Sequence, residues 1–425
     1  MATGPTLEIL LHLSQLLAIA YILYRGGLGV LGLRTPKAPE LGDGKTKFLI
    51  LVLAHNEQSV IADTVRCILG LDYAPERRWL VVVADDCTDA TEAEALSAGA
   101  MVLTKTEPSL SKGVAMSWAL NHGAIQSAVW DAVVFFDADS RPVGNFLQMM
   151  DGALSHGDLA IQGRRESHGQ KGWIPTAYAV NTALRNRLWH QGREAAGFSA
   201  ALTGTGICLD RRVLSAVPAE THTLTEDLEY GTKLELAGIR ARYIHAAATV
   251  IDQPPSLKAS VGQRLRWARG QVLTSLTYGP ALLWRALRHR EFAAFDYALY
   301  LLLPSLVPLQ AFLLVTQGSF VLAGSAPFFS GGGWGLDEVV FVLSSVSVTL
   351  SFVLTFVGLN AERQEYVLRD WIAFVLLMLT WLPIAMYGAL TTWAAAWVTT
   401  PRSQEPYTAI KSDSAVKRGV ADSRE

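Results

Sequence analysis

Two carboxylates one residue apart, Asp137-Ala138-Asp139, follow the apolar run Ala132-Val133-Val134-Phe135-Phe136. Such runs read as strands buried on both faces, so the acids stand at a strand's carboxyl end. In open α/β sheets, ligands bind in the crevice outside those ends. Two hard oxygen ligands there can hold a divalent cation whose shell is completed by water and substrate phosphate. The structural alternative is an Asx-type turn leading into a helix at Ser140-Arg141-Pro142.

Other segments carry comparable chemistry. Asp85-Asp86 ends the run Trp79 to Ala84; either acid can accept hydrogen bonds from a base or ribose, or cap a helix beginning at Thr88. Phe48 to Ala54 ends at His55-Asn56-Glu57, and Lys112 opens a helix from which an ammonium can reach phosphate oxygens. Leu202-Thr203-Gly204-Thr205-Gly206 is a tight turn where backbone can approach a ligand, or a plain hairpin turn. At Thr225-Glu226-Asp227, Thr225 caps a helix whose acids favour its dipole, or Asp227 or its neighbour Glu226 serves as a general base. Gln263, Arg266, Trp267 and Gly270 fall three or four apart and share one helix face, which also suits a basic, aromatic helix lying in a membrane interface.

The elements that must position these groups alternate. Strands over 48–54, 79–84, 100–104 and 132–136 are separated by helical patterns over 59–69, 88–97 and 112–122. That alternation predicts an α/β domain with a parallel sheet and helices on both faces. Beyond Arg141 it becomes irregular, with a strand expected at 159–163 and a helix over 173–194. Neither G-x-G-x-x-G nor G-x-x-x-x-G-K-[ST] is present, which argues against a dinucleotide oxidoreductase or a P-loop NTPase.

Half of the 425 residues are hydrophobic and 17% are charged, too apolar for an ordinary soluble protein. The excess lies in uncharged runs at 298–324, 339–360 and 371–400, each long enough to cross a bilayer core, and in a shorter run at 9–24 that reads as an anchor. This divides the chain into an anchor (1–33), a linker (34–47), a catalytic domain (48–255), interfacial helices (256–297), three transmembrane helices (298–400) and a tail (401–425). Arg25, Arg34, Lys37, Lys45 and Lys47 follow the anchor, whereas 325–337 lacks Lys and Arg, so the positive-inside rule puts the polar middle in the cytoplasm. The tail carries five basic residues, which conflicts with four crossings; breakage of the last run near Pro383 would reverse its side. A net charge of -2 without a basic tract argues against nucleic acid as a partner, and Cys67, Cys87 and Cys208 lack zinc-site spacing.

In this order, His55-Asn56-Glu57, Asp85, Asp137-Ala138-Asp139, Thr225-Glu226-Asp227 and Gln263-Arg264-Leu265-Arg266-Trp267 resemble the membrane-embedded members of glycosyltransferase family 2, the group with cellulose, chitin and hyaluronan synthases. The resemblance covers about Phe48 to Gln271 and the layout of one leading and several trailing spans. It implies a GT-A fold, a nucleotide-sugar donor (a UDP-sugar) and Mg²⁺ or Mn²⁺. By motif match, Asp85 with Asp86 and Glu57 would hold the nucleotide, and Asp137 and Asp139 the metal and diphosphate. Lys112, Gln263 and Arg266 would contact the donor, Asp227 would be the base, and Trp267 would lie beneath an acceptor sugar, near Gly204, Thr205 and Gly206. Two features depart from the pattern: Ala84-Asp85-Asp86-Cys87 has no Gly-Ser after its acids, and a Phe-x-Val-Thr-x-Lys segment is missing.

The expected chemistry is one displacement at the anomeric carbon, which inverts it. The expected acceptor is a growing envelope or extracellular polysaccharide, the alternative a ceramide- or polyprenyl-phosphate-type lipid receiving one sugar at the bilayer. A non-enzymatic transporter fits poorly, because the apolar runs hold no Asp, Glu, Lys or Arg of the kind transport sites use.

Overall fold

The computed structural model describes residues 5–34, 38–109, 111–168, 172–302, 307–322, 335–362 and 366–392. Eight strands form one sheet: β1 (Phe48–Ala54), β2 (Arg78–Asp85), β3 (Met101–Lys105), β4 (Ala132–Asp137), β5 (Arg141–Pro142), β6 (Ala160–Ser167), β7 (Ile207–Asp210) and β8 (Ala241–Ile251). Their order is β3-β2-β1-β4-β7-β6-β8-β5. Pairing is parallel across β3, β2, β1 and β4, where the sequence alternates strand and helix.

Beyond β4 the expectation of a parallel sheet fails. The four-residue β7 runs antiparallel to both β4 and β6, and β5 is antiparallel to β8, so the sheet is mixed. A strand this short carries no alternation to read, and it enters directly from the Gly204 turn.

Successive residues of β1 point to opposite faces, as the pleat requires. Phe48, Ile50 and Val52 join one apolar core, and Leu49, Leu51 and Leu53 the other. Both layers are covered by helices, among them Ile61–Leu69 on the first and Lys112–Asn121 on the second. Ser111 starts the latter helix by accepting the Val114 N–H.

The helix expected over 173–194 is in three pieces: α-helical Trp173–Leu184, a π-helical turn Arg185–His190, and α-helical Gln191–Ala195. The N-terminal helix Pro5–Gly32 lies directly against it. A Cβ on Gly32 would meet the Arg187 carbonyl oxygen at 2.2 Å, and one on Gly192 the Leu28 carbonyl oxygen at 2.3 Å, so backbone touches backbone at both places.

Among the described residues, three helices are long and apolar enough to cross a membrane: Glu8–Gly32, Leu336–Ala361 and Leu368–Leu390. The last divides at Thr380, where Pro383 can neither donate to nor clear the carbonyl four residues back. The run expected over 298–324 belongs to two helices, Phe292–Leu302 and Val307–Leu322, and residues 303–306 between them lie outside the described residues. Residues 325–334 and the tail 401–425 also lie outside them. The 33-residue helix Leu257–His289, capped by Ser256, lies against the short apolar helix and against Trp381–Leu390.

Candidate active site

The carboxyl ends of β1, β2 and β4 open into a cavity of about 1030 Å³. His55, Glu57, Asp85, Asp137 and Asp139 line it from the strand ends. Lys112, Thr203, Gly204, Thr205, Glu226 and Asp227 line it from the adjoining turn and helix starts, and Gln263, Arg266 and Trp267 from the long helix. Two expected residues are not brought there. Asp86 takes a left-handed backbone (φ 48) and gives its N–H to the Lys105 carbonyl at 2.7 Å; as the residue after Asp85 it leaves the opposite side of the strand end. Gly206 turns inward, its missing Cβ facing Thr249 and Phe146.

Gly204 is the point on which the acids converge. Its φ of 80 is strained for any side chain, and a Cβ there would lie 3.4 Å from Asp227 Oδ2 and 3.6 Å from Asp137 Oδ2. Residues 90 positions apart in the chain thus face one small volume. Lys112 closes it: its ammonium donates to Asp137 Oδ1 and, at 2.8 Å, to the Gly204 carbonyl, and stands 3.5 Å from Glu226 Oε1. Burial opposes the Lys112 charge, but Asp137, Glu226 and Asp227 outweigh it and hold the ammonium's pKa up.

The helix Glu226–Leu236 begins in this volume. Thr225 occupies its N-cap position, yet makes no capping hydrogen bond through its side chain, so the structural reading of Thr225 as a side-chain cap does not hold. Burial raises the pKa of both acids; Lys112 works against this at Glu226, and the Leu228 N–H, followed by Lys112, does so at Asp227. That N–H reaches Asp227 Oδ1 at 2.8 Å and leaves Oδ2 directed at the Gly204 side.

Asp85 is buried; Ser109 donates to its Oδ1 at 2.8 Å, and the Lys105 ammonium lies 3.5 Å away. Thr205 bonds Ser140 at 2.6 Å and its Oγ1 accepts the Asp137 N–H, fixing the turn to the end of β4. On the long helix, Arg266 gives one N–H to the Leu224 carbonyl at 3.2 Å. Among the described residues, Gln263 Oε1 and Arg266 Nε are buried without a hydrogen-bond partner. Trp267 packs on the cluster that includes Ile174, Tyr178 and Met378, at the junction with the helices able to cross a membrane.

Sequence reasoning missed Arg165. It lies on β6, donates to the Thr203 carbonyl at 3.1 Å and lines the cavity; burial, then Arg185, lowers its pKa to about 10. The signal was faint: two adjacent arginines in a strand, one of which must face the side that apolar residues normally occupy.

The model of glycosyltransferase-like family 2 matches residues 46–270, more than half of the chain. The protein belongs to that family. Among curated relatives, the probable glycosyltransferase YdaM of Bacillus subtilis is 28% identical over 242 residues, 55% of this chain and 57% of that protein. The beta-monoglucosyldiacylglycerol synthase of Nostoc is 25% identical over 383 residues, 88% of this chain and 78% of the relative. The cellulose synthase catalytic subunit of Komagataeibacter sucrofermentans is 25% identical over 52% of this chain, spanning 30% of its own length. In three dimensions, the mannosyltransferase PcManGT of Pyrobaculum calidifontis, solved with GDP-Man and Mn2+, aligns over 90% of this chain and 99% of its own with a TM-score of 0.55 at 15% identity. This family 2 chain therefore has the GT-A fold together with helices able to cross a membrane.

Proposed function

We propose that the chain transfers one sugar, with inversion, from a nucleotide-sugar, a UDP-sugar by the sequence resemblance, to a lipid acceptor at the cytoplasmic face of a membrane. The observation that carries this is the convergence of Asp137, Asp227 and Lys112 on Gly204, in a cavity shared with the unpartnered atoms of Gln263 and Arg266. Asp227 would take the proton of an attacking hydroxyl, and burial, which raises its pKa, supports that reading. Gln263 and Arg266 would hold the departing diphosphate, and Asp85 the nucleoside end.

The residues present fit a divalent cation. Asp137 and Asp139 offer hard oxygens at one strand end, and the gap a Cβ on Gly204 would fill lies beside Asp137. When bound, Mg²⁺ or Mn²⁺ would supply charge stabilisation for the diphosphate. Lys112 would then exchange part of its hold on Asp137 for the donor.

A lipid acceptor is favoured over a growing polysaccharide by the far side of the cavity. Leu276, Leu309, Leu314, Phe352, Phe374 and Met378, several of them on helices able to span the bilayer, continue it away from the acids. The Nostoc relative, whose name includes a diacylglycerol product, aligns across those helices as well. The purified full chain, given radiolabelled UDP-glucose, UDP-galactose, UDP-N-acetylglucosamine or GDP-mannose together with its native lipids and Mn²⁺, should yield one organic-soluble product. A ladder of water-soluble oligomers would refute the lipid reading, and no transfer from any donor would refute the enzyme.

A further inference from the structure

Beyond the acids, the part of the cavity lined by the N-terminal helix, β6 and the π-helical turn carries an excess of positive charge. Arg25, from the N-terminal helix, Arg165, from β6, and Arg185, from the first residue of the π-helical turn, all line it. Among the described residues none of these three forms an ion pair, whereas their neighbour Arg193, fully buried, is matched by Asp296 at 2.7 Å. Arg25 lies with its guanidinium carbon 3.5 Å from the centre of a Trp189 ring and gives an N–H to Tyr21 at 3.0 Å. Arg165 binds one carbonyl.

The same wall is short of acceptors. Trp189 lines the cavity, is 4% exposed, and its indole Nε1–H is buried without a partner. His190, beside it, is kept neutral by burial first and then by Arg185, Arg165, Arg193 and Arg25. The carboxylates that act on Arg165 are Asp227 and Asp137, which belong to the transfer site. A half-buried guanidinium without a counter-charge is costly unless a ligand supplies one. The π-helical turn, which widens the helix at Arg185 and Trp189, is a form concentrated at functional sites.

We propose that Arg25, Arg165, Arg185 and the Trp189 N–H form a subsite for an anionic headgroup of the phosphate class, carried by the lipid whose chains occupy the apolar end of the cavity. This rests on the lipid-acceptor reading and sharpens it: the acceptor is a phosphate-bearing amphiphile rather than a neutral one. Arginine suits the role because its planar fork pairs with two phosphate oxygens. The donor diphosphate is held elsewhere in the cavity, by Gln263, Arg266 and Lys112.

The test is equilibrium binding of tritiated farnesyl phosphate and tritiated farnesol to the purified full chain in detergent, with UDP binding measured in parallel. Farnesyl phosphate should bind at least tenfold more tightly than farnesol, and the difference should shrink on raising salt. In Arg185→Ala and Arg165→Gln the preference should fall to within twofold while farnesol binding stays, and Arg185→Lys should restore part of it. Equal affinities in the unsubstituted chain, or a preference that survives the Arg165→Gln/Arg185→Ala pair, would overturn the subsite. UDP binding that is retained while the phosphate preference is absent rejects the subsite alone; loss of both rejects the transferase reading with it. Sugar transfer to polyprenyl phosphate and to phosphatidic acid, compared with diacylglycerol, then separates the two phosphate-bearing sources.

Discussion

The cavity and the junction behind it are built from the same charged residue types used in opposite ways. At the junction between the sheet domain and the helices able to cross a membrane, two buried groups are paired within the fold. Arg193 meets Asp296, which also accepts the Tyr24 hydroxyl at 2.6 Å, and Arg193 gives its Nε–H to the Ser199 carbonyl. Glu362, just after the helix Leu336–Ala361, is flanked by Arg164 at 3.8 Å and His245 at 3.6 Å. In the cavity, three carboxylates gather round Lys112, while Arg25, Arg165 and Arg185 form no ion pair among the described residues, Arg165 alone being close enough to act on Asp227 and Asp137. Charges balanced within the fold hold elements together, and charges left in excess await a ligand.

The strongest way to break the comparison is on the acid wall. Asp227→Asn keeps the shape and the acceptor for the Leu228 N–H but removes the base. Transfer should drop by roughly 10²–10⁴-fold, the usual worth of a positioned base, with UDP-sugar binding within a few fold of the original. Lost donor binding in a folded variant would mean that Asp227 holds substrate instead.

At the junction the same kind of substitution should act on stability. Asp296→Ala strands Arg193 in an apolar, aromatic surround of Trp189, Tyr297 and Tyr300, and removing one member of a buried pair costs about 3–5 kcal/mol. Thermal unfolding in detergent should show it as a large fall in Tm, and Asp296→Asn, which keeps the bond from Tyr24, should lose less. An unchanged Tm would place Arg193 in contact with solvent or a lipid head.

Glu362 allows a test by pH. Burial, partly offset by Arg164 and Arg187, raises its carboxyl to about 7. A group that holds its proton more tightly when folded stabilises the fold fully below its unfolded value, and this is lost as pH rises towards 7. Heating the original chain at pH 5 and pH 8 should therefore reveal a loss that Glu362→Gln lacks, on the order of 1–3 kcal/mol from a shift of this size. His245, lowered to about 3 by burial and then by Arg164 and Arg187, stays neutral throughout and does not compete.

The half of the cavity that could be read in advance is the acid half. Strands β1, β2 and β4 are built on apolar runs, and each runs into polar or acidic residues where a parallel sheet opens. Asp227 follows a helix start, and Gln263 and Arg266 share a helix face. None of these needed a long-range contact to be recognised. The basic wall did: Arg25, Arg165 and Arg185 lie on the N-terminal helix, a strand and a π-helical turn, which the close approach of Gly32 to Arg187 and of Gly192 to Leu28 and the bond from the Asn186 side chain to the Arg165 carbonyl bring together. The mixed sheet was hidden for the same reason, since its reversal depends on the four residues of β7. Spacing along the chain likewise cannot assign Asp86 and Gly206, because side alternates at each step and one residue decides which face is reached.

Gly204 tests whether the acid wall depends on backbone shape. A methyl group there meets Asp227 and Asp137 at 3.4 and 3.6 Å, ordinary contact distances, so sterics alone would be tolerated. The backbone is the obstacle: a left-handed φ costs a residue with a Cβ about 1–2 kcal/mol. Gly204→Ala should therefore lower Tm by a few degrees and reduce transfer by about tenfold, while donor affinity changes less, because the Gly204 carbonyl that positions Lys112 would move.

The smallest effect should come from a charge pair outside both regions. Asp63 and Arg66 bond at 2.8 Å on the exposed face of the helix Ile61–Leu69, with side chains 49% and 62% exposed. Such pairs contribute roughly 0.2–0.5 kcal/mol and are screened by salt. Arg66→Ala should leave Tm, transfer and lipid preference unchanged within error at 0.15 M salt. A loss as large as that of Asp296→Ala would show that surface charge holds this fold as strongly as buried charge, and pairing would then no longer separate structural from functional residues.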